Sequence, residues 1–181
     1  MNIMIHTLIS TFHAGYLLNN SIFYLLNYIT SDIYETRLFN TILYFLIDGM
    51  YLIKNYNSFN KQMIYHHLIC LSFLCPKVLF KYNIDPNINY LIALSCLAES
   101  STIPLNICWI LNNKKLTNNI VYKICGVSTI LLYIPFRLGI NSYMTYYIFM
   151  NKYYVYSFIY IPFTFLNYYW FYRLSKKYSK S

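Results

Sequence analysis

IVYKICGVSTILLYIPFRLGINSYMTYYIFM, residues 120–150, is the stretch that decides the fold. At about 1.5 Å per residue this run outreaches a hydrocarbon layer of roughly 30 Å, so it reads as a membrane-spanning helix with length to spare for a tilt or a bend. It contains Pro135 and one ionisable side chain, Arg137, near its middle. The rest of the chain has the same character. Of 181 residues, 58% are hydrophobic and 10% charged, against about 25% charged in soluble domains. A mean hydropathy of +0.39 and only 5 acidic residues exclude a disordered tail, a collagen-like array and a nucleic-acid-binding domain. Cys70, Cys75, Cys96, Cys108 and Cys125 form no C-x-x-C pair and all lie in apolar runs, so neither a disulfide framework nor a zinc site is expected. The abundance of Tyr and Asn matches the coding bias of an AT-rich genome, and single residues of these types are discounted as signals.

Outward from residues 120–150, five further apolar runs are expected as helices: 3–29, 38–53, 61–80, 87–111 and 153–172. The first has no Lys or Arg before it and exceeds a signal-peptide core, so it reads as a retained span. Residues 30–37, with Asp32, Glu35 and Arg37, read as a loop, as do 55–60 and 112–119, while Asp85-Pro86-Asn87 is turn chemistry. Pro104 predicts a kink near Ser100, and Lys77 and Lys81 are expected to snorkel to the interface. Six spans put Lys54, Lys61, Lys114, Lys115, Lys123, Arg173, Lys176, Lys177 and Lys180 on one side, against Arg37, Lys77, Lys81 and Lys152 on the other. The excess marks the cytosolic face, which then holds both termini. The expectation is a single all-α domain over 1–181: a polytopic bundle of about six spans with a polar-lined internal cavity and no soluble domain.

Asp48, His66, His67, Glu99 and Arg137 sit inside apolar helices, where an ionisable group costs about 2.5–3.5 kcal/mol on insertion scales. Either they work on something or they pin helices together. Polar stripes at helical spacing accompany them: Tyr44, Asp48, Tyr51 and Asn55; Gln62, His66 and Cys70; Ser95, Glu99, Thr102 and Asn106; Tyr133, Arg137, Asn141 and Thr145; and His6, His13, Asn20 and Asn27. Such faces avoid lipid and are expected to line the cavity. Asp48 lies six residues before Lys54 and His66 five after Lys61, which places both about 9 Å below the cytosolic surface. Arg137 falls nearer the far side. Imidazole beside a carboxylate supports acid–base work, because the acid orients the ring and stabilises its cation. Without a histidine pair at i, i+4, no metal is expected, and no other cofactor.

In order and spacing, Ser10-x-x-His13-Ala14, Asp48 followed by Tyr51, His66-His67, Glu99-x-Ser101-Thr102-x-Pro104-x-Asn106 and Phe136-Arg137 resemble the TLC-domain family over nearly the whole chain. The resemblance implies six or seven helices around a lipid-accessible cavity, an endoplasmic-reticulum or other endomembrane location, and membrane lipids as partners, with no nucleic acid. In the ceramide synthase branch, it implies transfer of a fatty acyl group from acyl-CoA to a sphingoid amine. His66 or His67 would then be base or acyl acceptor, with Asp48 and Glu99 as acidic partners. The synthases carry His-Asp-x-x-Asp after their histidine pair, whereas Leu97-Ala98-Glu99-Ser100-Ser101-Thr102 keeps one acid and lacks the second acid and third histidine. That form looks more like the small TLC-domain proteins linked to membrane lipid composition. Two functions are therefore carried forward: a protein that binds or handles lipid and influences membrane lipid composition or trafficking, and an acyltransferase. Under either, His13, Tyr51, Ser95, Thr102, Asn106 and Arg137 are expected to line the cavity. The leading span found in many relatives is not expected.

Overall fold

A computed structural model describes residues 3–81 and 87–178, and these form six helical runs with no strand among them. They are α1 (Ile3–Leu25), α2 (Ser31–Lys54), α3 (Ser58–Leu79), α4 (Ile88–Asn113), α5 (Ile120–Met150) and α6 (Tyr154–Tyr178). The Asp85-Pro86 turn and Lys180 lie outside the described residues.

Local chemistry accounts for most boundaries. Asn57 Oδ1 accepts the Asn60 N–H at 2.9 Å and so caps α3, and Asn119 Oδ1 accepts from Val121 N at 2.8 Å to cap α5. Three helices end on a left-handed residue with paired bonds back into the last turn. Asn27 (φ 60°), Lys115 (φ 57°) and Lys152 (φ 60°) occupy that position. After α1, for example, Tyr28 N–H reaches Phe23 O at 2.8 Å and Asn27 N–H reaches Tyr24 O at 3.0 Å. Asn27, expected on the α1 polar stripe, is thus part of the helix stop.

The prolines disturb the two helices in opposite senses. In α4 the chain tightens to a 3₁₀ turn over Leu97–Ser101, just before Pro104, where the ring crowds the carbonyl four residues back. In α5 it loosens to a π-helix over Tyr133–Gly139 around Pro135, with Ile140 N–H reaching back to Pro135 O.

Residues 30–37 are not the expected loop. Thr30 precedes α2 as its N-cap, and Glu35 is buried within the first turns of the helix, its charge met by partners from α3 and α4.

The chain divides into two compact units, Asn20–Leu94 and the remainder. In the first, α2 packs against α3 in antiparallel sense, with Tyr34, Leu38, Ile42, Phe45 and Leu52 buried along α2, and Ile69, Leu74 and Val78 along α3. In the second, the 3₁₀ turn of α4 meets the π segment of α5, whose latter half packs on α6. Polar side chains are buried in both, including Asp48, His66, His67, Arg137, Asn141 and Asn167. Large apolar ones face outward, with Phe12 78% and Phe158 84% exposed. In water this distribution would be inside out; in lipid it is the stable one. Ile88–Asn113 and Ile120–Met150 are long and apolar enough to cross a membrane, and only 39% and 22% of their most apolar stretches are buried.

Candidate functional site

In the unit Asn20–Leu94, the packing of α2 on α3 brings Asp48 to His67, the neighbour of the His66 for which equal depth was expected. His67 Nε2 lies 3.5 Å from Asp48 Oδ2, and both side chains are under a tenth exposed. Phe45, one turn before Asp48, lies tilted against the His67 ring at 4.8 Å and meets His66 edge-on at 6.1 Å. This apolar wall lowers the local dielectric and strengthens attraction between carboxylate and imidazolium. The two histidine rings are 5.6 Å apart, and His66 turns toward Cys70, whose Sγ is 3.8 Å from its Nε2. The pair of histidines thus divides its work: one ring faces an acid, the other a thiol. Tyr51 follows on α2, half-buried, its carbonyl accepting from Asn55.

In the other unit, Arg137 is surrounded by acceptors. Its Nε donates to Ser101 Oγ at 3.0 Å and to Ala98 O at 3.3 Å, Nη2 to Thr102 Oγ1 at 2.6 Å, and Nη1 to Asn167 Oδ1 at 3.5 Å. Glu99 Oε1 is 3.7 Å from Nη2, and the guanidinium lies 5.5 Å from the centre of the Tyr133 ring. The two irregular turns make this possible. The 3₁₀ turn presents the Ala98 carbonyl and the Ser101 hydroxyl together, and the π segment carries the arginine that fills them.

A family model for the TLC domain matches residues 3–176. The chain belongs to the TLC-domain family. With its apolar outward faces it is an integral membrane protein of the family related to ceramide synthases, engaged in lipid handling. Comparison with curated proteins finds no match, and comparison with solved structures finds none.

Within this TLC domain the remaining expected residues spread over both units. Ser95, Glu99, Thr102, Asn106, Arg137 and His13 fall in one, and Asp48, Tyr51, His66 and His67 in the other. His13 is buried, Asn106 Nδ2 donates to Ser10 Oγ at 3.4 Å, and Ser95 Oγ lies 3.4 Å from the Tyr160 hydroxyl. Among the described residues no group of three or more His, Cys, Asp or Glu is placed to hold a metal ion.

Two features of the TLC domain were not expected from sequence. Tyr160, Thr164 and Asn167 of α6 extend the Arg137 network: Tyr160 donates to Asn141 Oδ1 at 2.8 Å, the Thr164 and Thr145 hydroxyls are 2.7 Å apart, and Tyr133 donates to the Asn167 carbonyl at 3.1 Å. Their i, i+4, i+7 spacing was present in the sequence, but its Tyr and Asn members were set aside as coding bias. The second feature is Glu35. Lys77 Nζ is 2.8 Å from Oε1, Lys81 Nζ donates to Oε2 at 2.9 Å, and Asn89 Nδ2 donates to Oε1 at 2.9 Å. Lys77 is therefore buried and paired, where snorkelling was expected. Burial by itself raises the Glu35 pKa; the bonds from Lys77, Asn89 and Lys81 outweigh it and hold the carboxyl at about 2.

Proposed function

We propose that this TLC domain is a six-span endomembrane protein, of the endoplasmic reticulum or an adjoining membrane, with its C-terminus in the cytosol. It binds lipid at a polar-lined cavity and influences membrane lipid composition or trafficking. The observation that carries the reading is the Asp48–His67 pair, buried at 3.5 Å and followed by His66 and Cys70, in helices whose outer faces are apolar. Ionisable side chains are costly at such a place, and where they occur they mark functional sites. Acyl transfer is the second reading, favoured by the same imidazole–carboxylate geometry. Against it stands the single acid after the histidine pair, since Glu99 is already engaged with Arg137.

Lipid mass spectrometry of membranes with and without the protein tests the proposal, together with His66→Ala, His67→Ala and Asp48→Asn at matched protein level. A changed lipid profile that the variants lose supports it. Identical profiles throughout would leave the histidine–aspartate site a packing device. Orientation is tested separately with a C-terminal tag, which should be digested by protease added to intact microsomes.

A further inference from the structure

We infer that Cys70 is an acyl-accepting nucleophile with His66 as its base, an assignment that rests on the lipid-handling reading of the same site. The two residues are one turn apart on α3, so the helix itself holds Sγ 3.8 Å from Nε2 without help from any loop. The imidazole is buried and the cysteine half-buried, which leaves the sulfur as the approachable member of the pair. A thiol with an imidazole within reach is the arrangement that turns cysteine into a nucleophile, because the thiolate and not the thiol attacks. Other cysteines stand differently: Cys108, for instance, gives its hydrogen to the Tyr122 carbonyl at 3.4 Å.

The reaction that fits is exchange with an acyl thioester. In the tautomer with its proton on Nδ1, His66 accepts the Cys70 proton at Nε2. Sγ attacks the thioester carbonyl carbon, an Sγ–C bond forms, the donor's C–S bond breaks, and the proton passes from Nε2 to the departing thiolate. One thioester replaces another, so the exchange needs neither an oxidant nor an energy source, whereas an oxygen ester as donor would have to run uphill. His67 and Asp48 stand next to this pair, with the two histidine ring centroids 5.6 Å apart and Asp48 Oδ2 3.5 Å from His67 Nε2.

The test incubates the full chain, in lipid nanodiscs, with an alkyne-tagged palmitoyl-CoA, and follows tag retained by the denatured protein. Wild-type protein should take up a label that neutral hydroxylamine removes and that maps to the peptide bearing Cys70. Cys70→Ala should lose it at least tenfold with an unchanged melting temperature. His66→Gln should label about a hundredfold more slowly at pH 7, within the range a general base supplies. The deficit should narrow at pH 9, where hydroxide can take the thiol proton in place of the imidazole. Equal labelling of Cys70→Ala, a label mapping to another cysteine, or a His66→Gln rate equal to wild type at both pH values would overturn the assignment. If no label forms while lipid still copurifies with the protein, the acyl-accepting role alone fails. If neither label nor lipid is found, the lipid-binding reading fails with it.

Discussion

Two acids within the helices, Glu99 half-buried and Asp48 buried, meet different kinds of basic side chain. Glu99 lies 3.7 Å from the guanidinium of Arg137, and Asp48 lies 3.5 Å from the imidazole of His67. Arginine keeps its proton at every accessible pH and presents five donors in a rigid fork. Here Ser101, Ala98, Thr102 and Asn167 occupy that fork from two helices. Histidine can release its proton near neutrality, and its pair with Asp48 stands beside an aromatic wall and a thiol. The saturated cluster behaves as a fastening, which needs irregular helices to bring the acceptors round. The imidazole pair sits on regular helices. The two clusters thus differ first in the kind of side chain that meets the acid.

Arg137→Leu should break the comparison most directly if it is wrong. It strands Glu99 and the polar groups around it, and removing one partner of a buried pair costs about 3–5 kcal/mol. A large fall in melting temperature in detergent is expected, and Arg137→Lys, which keeps the charge but loses the fork, should recover only part of it. A leucine variant that melts like wild type would show the cluster is no fastening.

Glu35 extends the comparison to an acid held by two lysines and an amide. Its carboxyl is held at about 2 against an ordinary 4.5, so its contribution to stability is complete above pH 4.5 and disappears as pH falls toward 2. On the order of 2 kcal/mol should be lost across that window, allowing for water around the exposed Lys81. Melting curves at pH 6, 4 and 3 measure it. Glu35→Gln should melt lower at pH 6 and show a flatter acid limb.

Asp48→Asn should change stability by only about 1 kcal/mol, since the amide keeps the shape and a hydrogen bond to the ring. Its effect should appear in the lipid profile instead. A melting-temperature loss as large as that of Arg137→Leu, with normal lipids, would move this pair into the fastening class.

The smallest effect has the opposite sign. Lys115 holds φ 57° after α4, a conformation glycine adopts without strain, so Lys115→Gly should stabilise by about 0.5–1 kcal/mol, read as a small rise in melting temperature.

The fold was legible wherever hydrophobic length and helix breakers speak locally: six runs, the turn at Asn57, and irregularities beside Pro104 and Pro135. The start of α2 was not, because Glu35 among sparse charges reads as solvated until Lys77, Lys81 and Asn89 arrive from 42 and more residues away. Of the candidate site, the level shared by Asp48 and His66 followed from depth, but that the acid meets the adjacent His67 did not, since neighbouring helical side chains point about 100° apart and depth does not choose between them. Arg137 could not be placed that way. Its reach depends on one tightened and one loosened turn, and sequence marks where a helix is disturbed without saying in which sense. Tyr160, Thr164 and Asn167 failed for a statistical reason: in a chain with 23 tyrosines, a meaningful tyrosine looks like all the others.

The loosened turn at Tyr133–Gly139 carries one residue beyond what a plain α-helix would hold. Each residue of an α-helix swings the chain by about 100°. An extra codon at this point therefore acts as a swivel, turning the half of α5 that bears Asn141 and Thr145 to meet Tyr160 and Thr164 while the half before it keeps its outward face of Ile124, Val127 and Leu131. Members of the family that differ by one residue at this position would share every motif and still aim the end of this helix elsewhere.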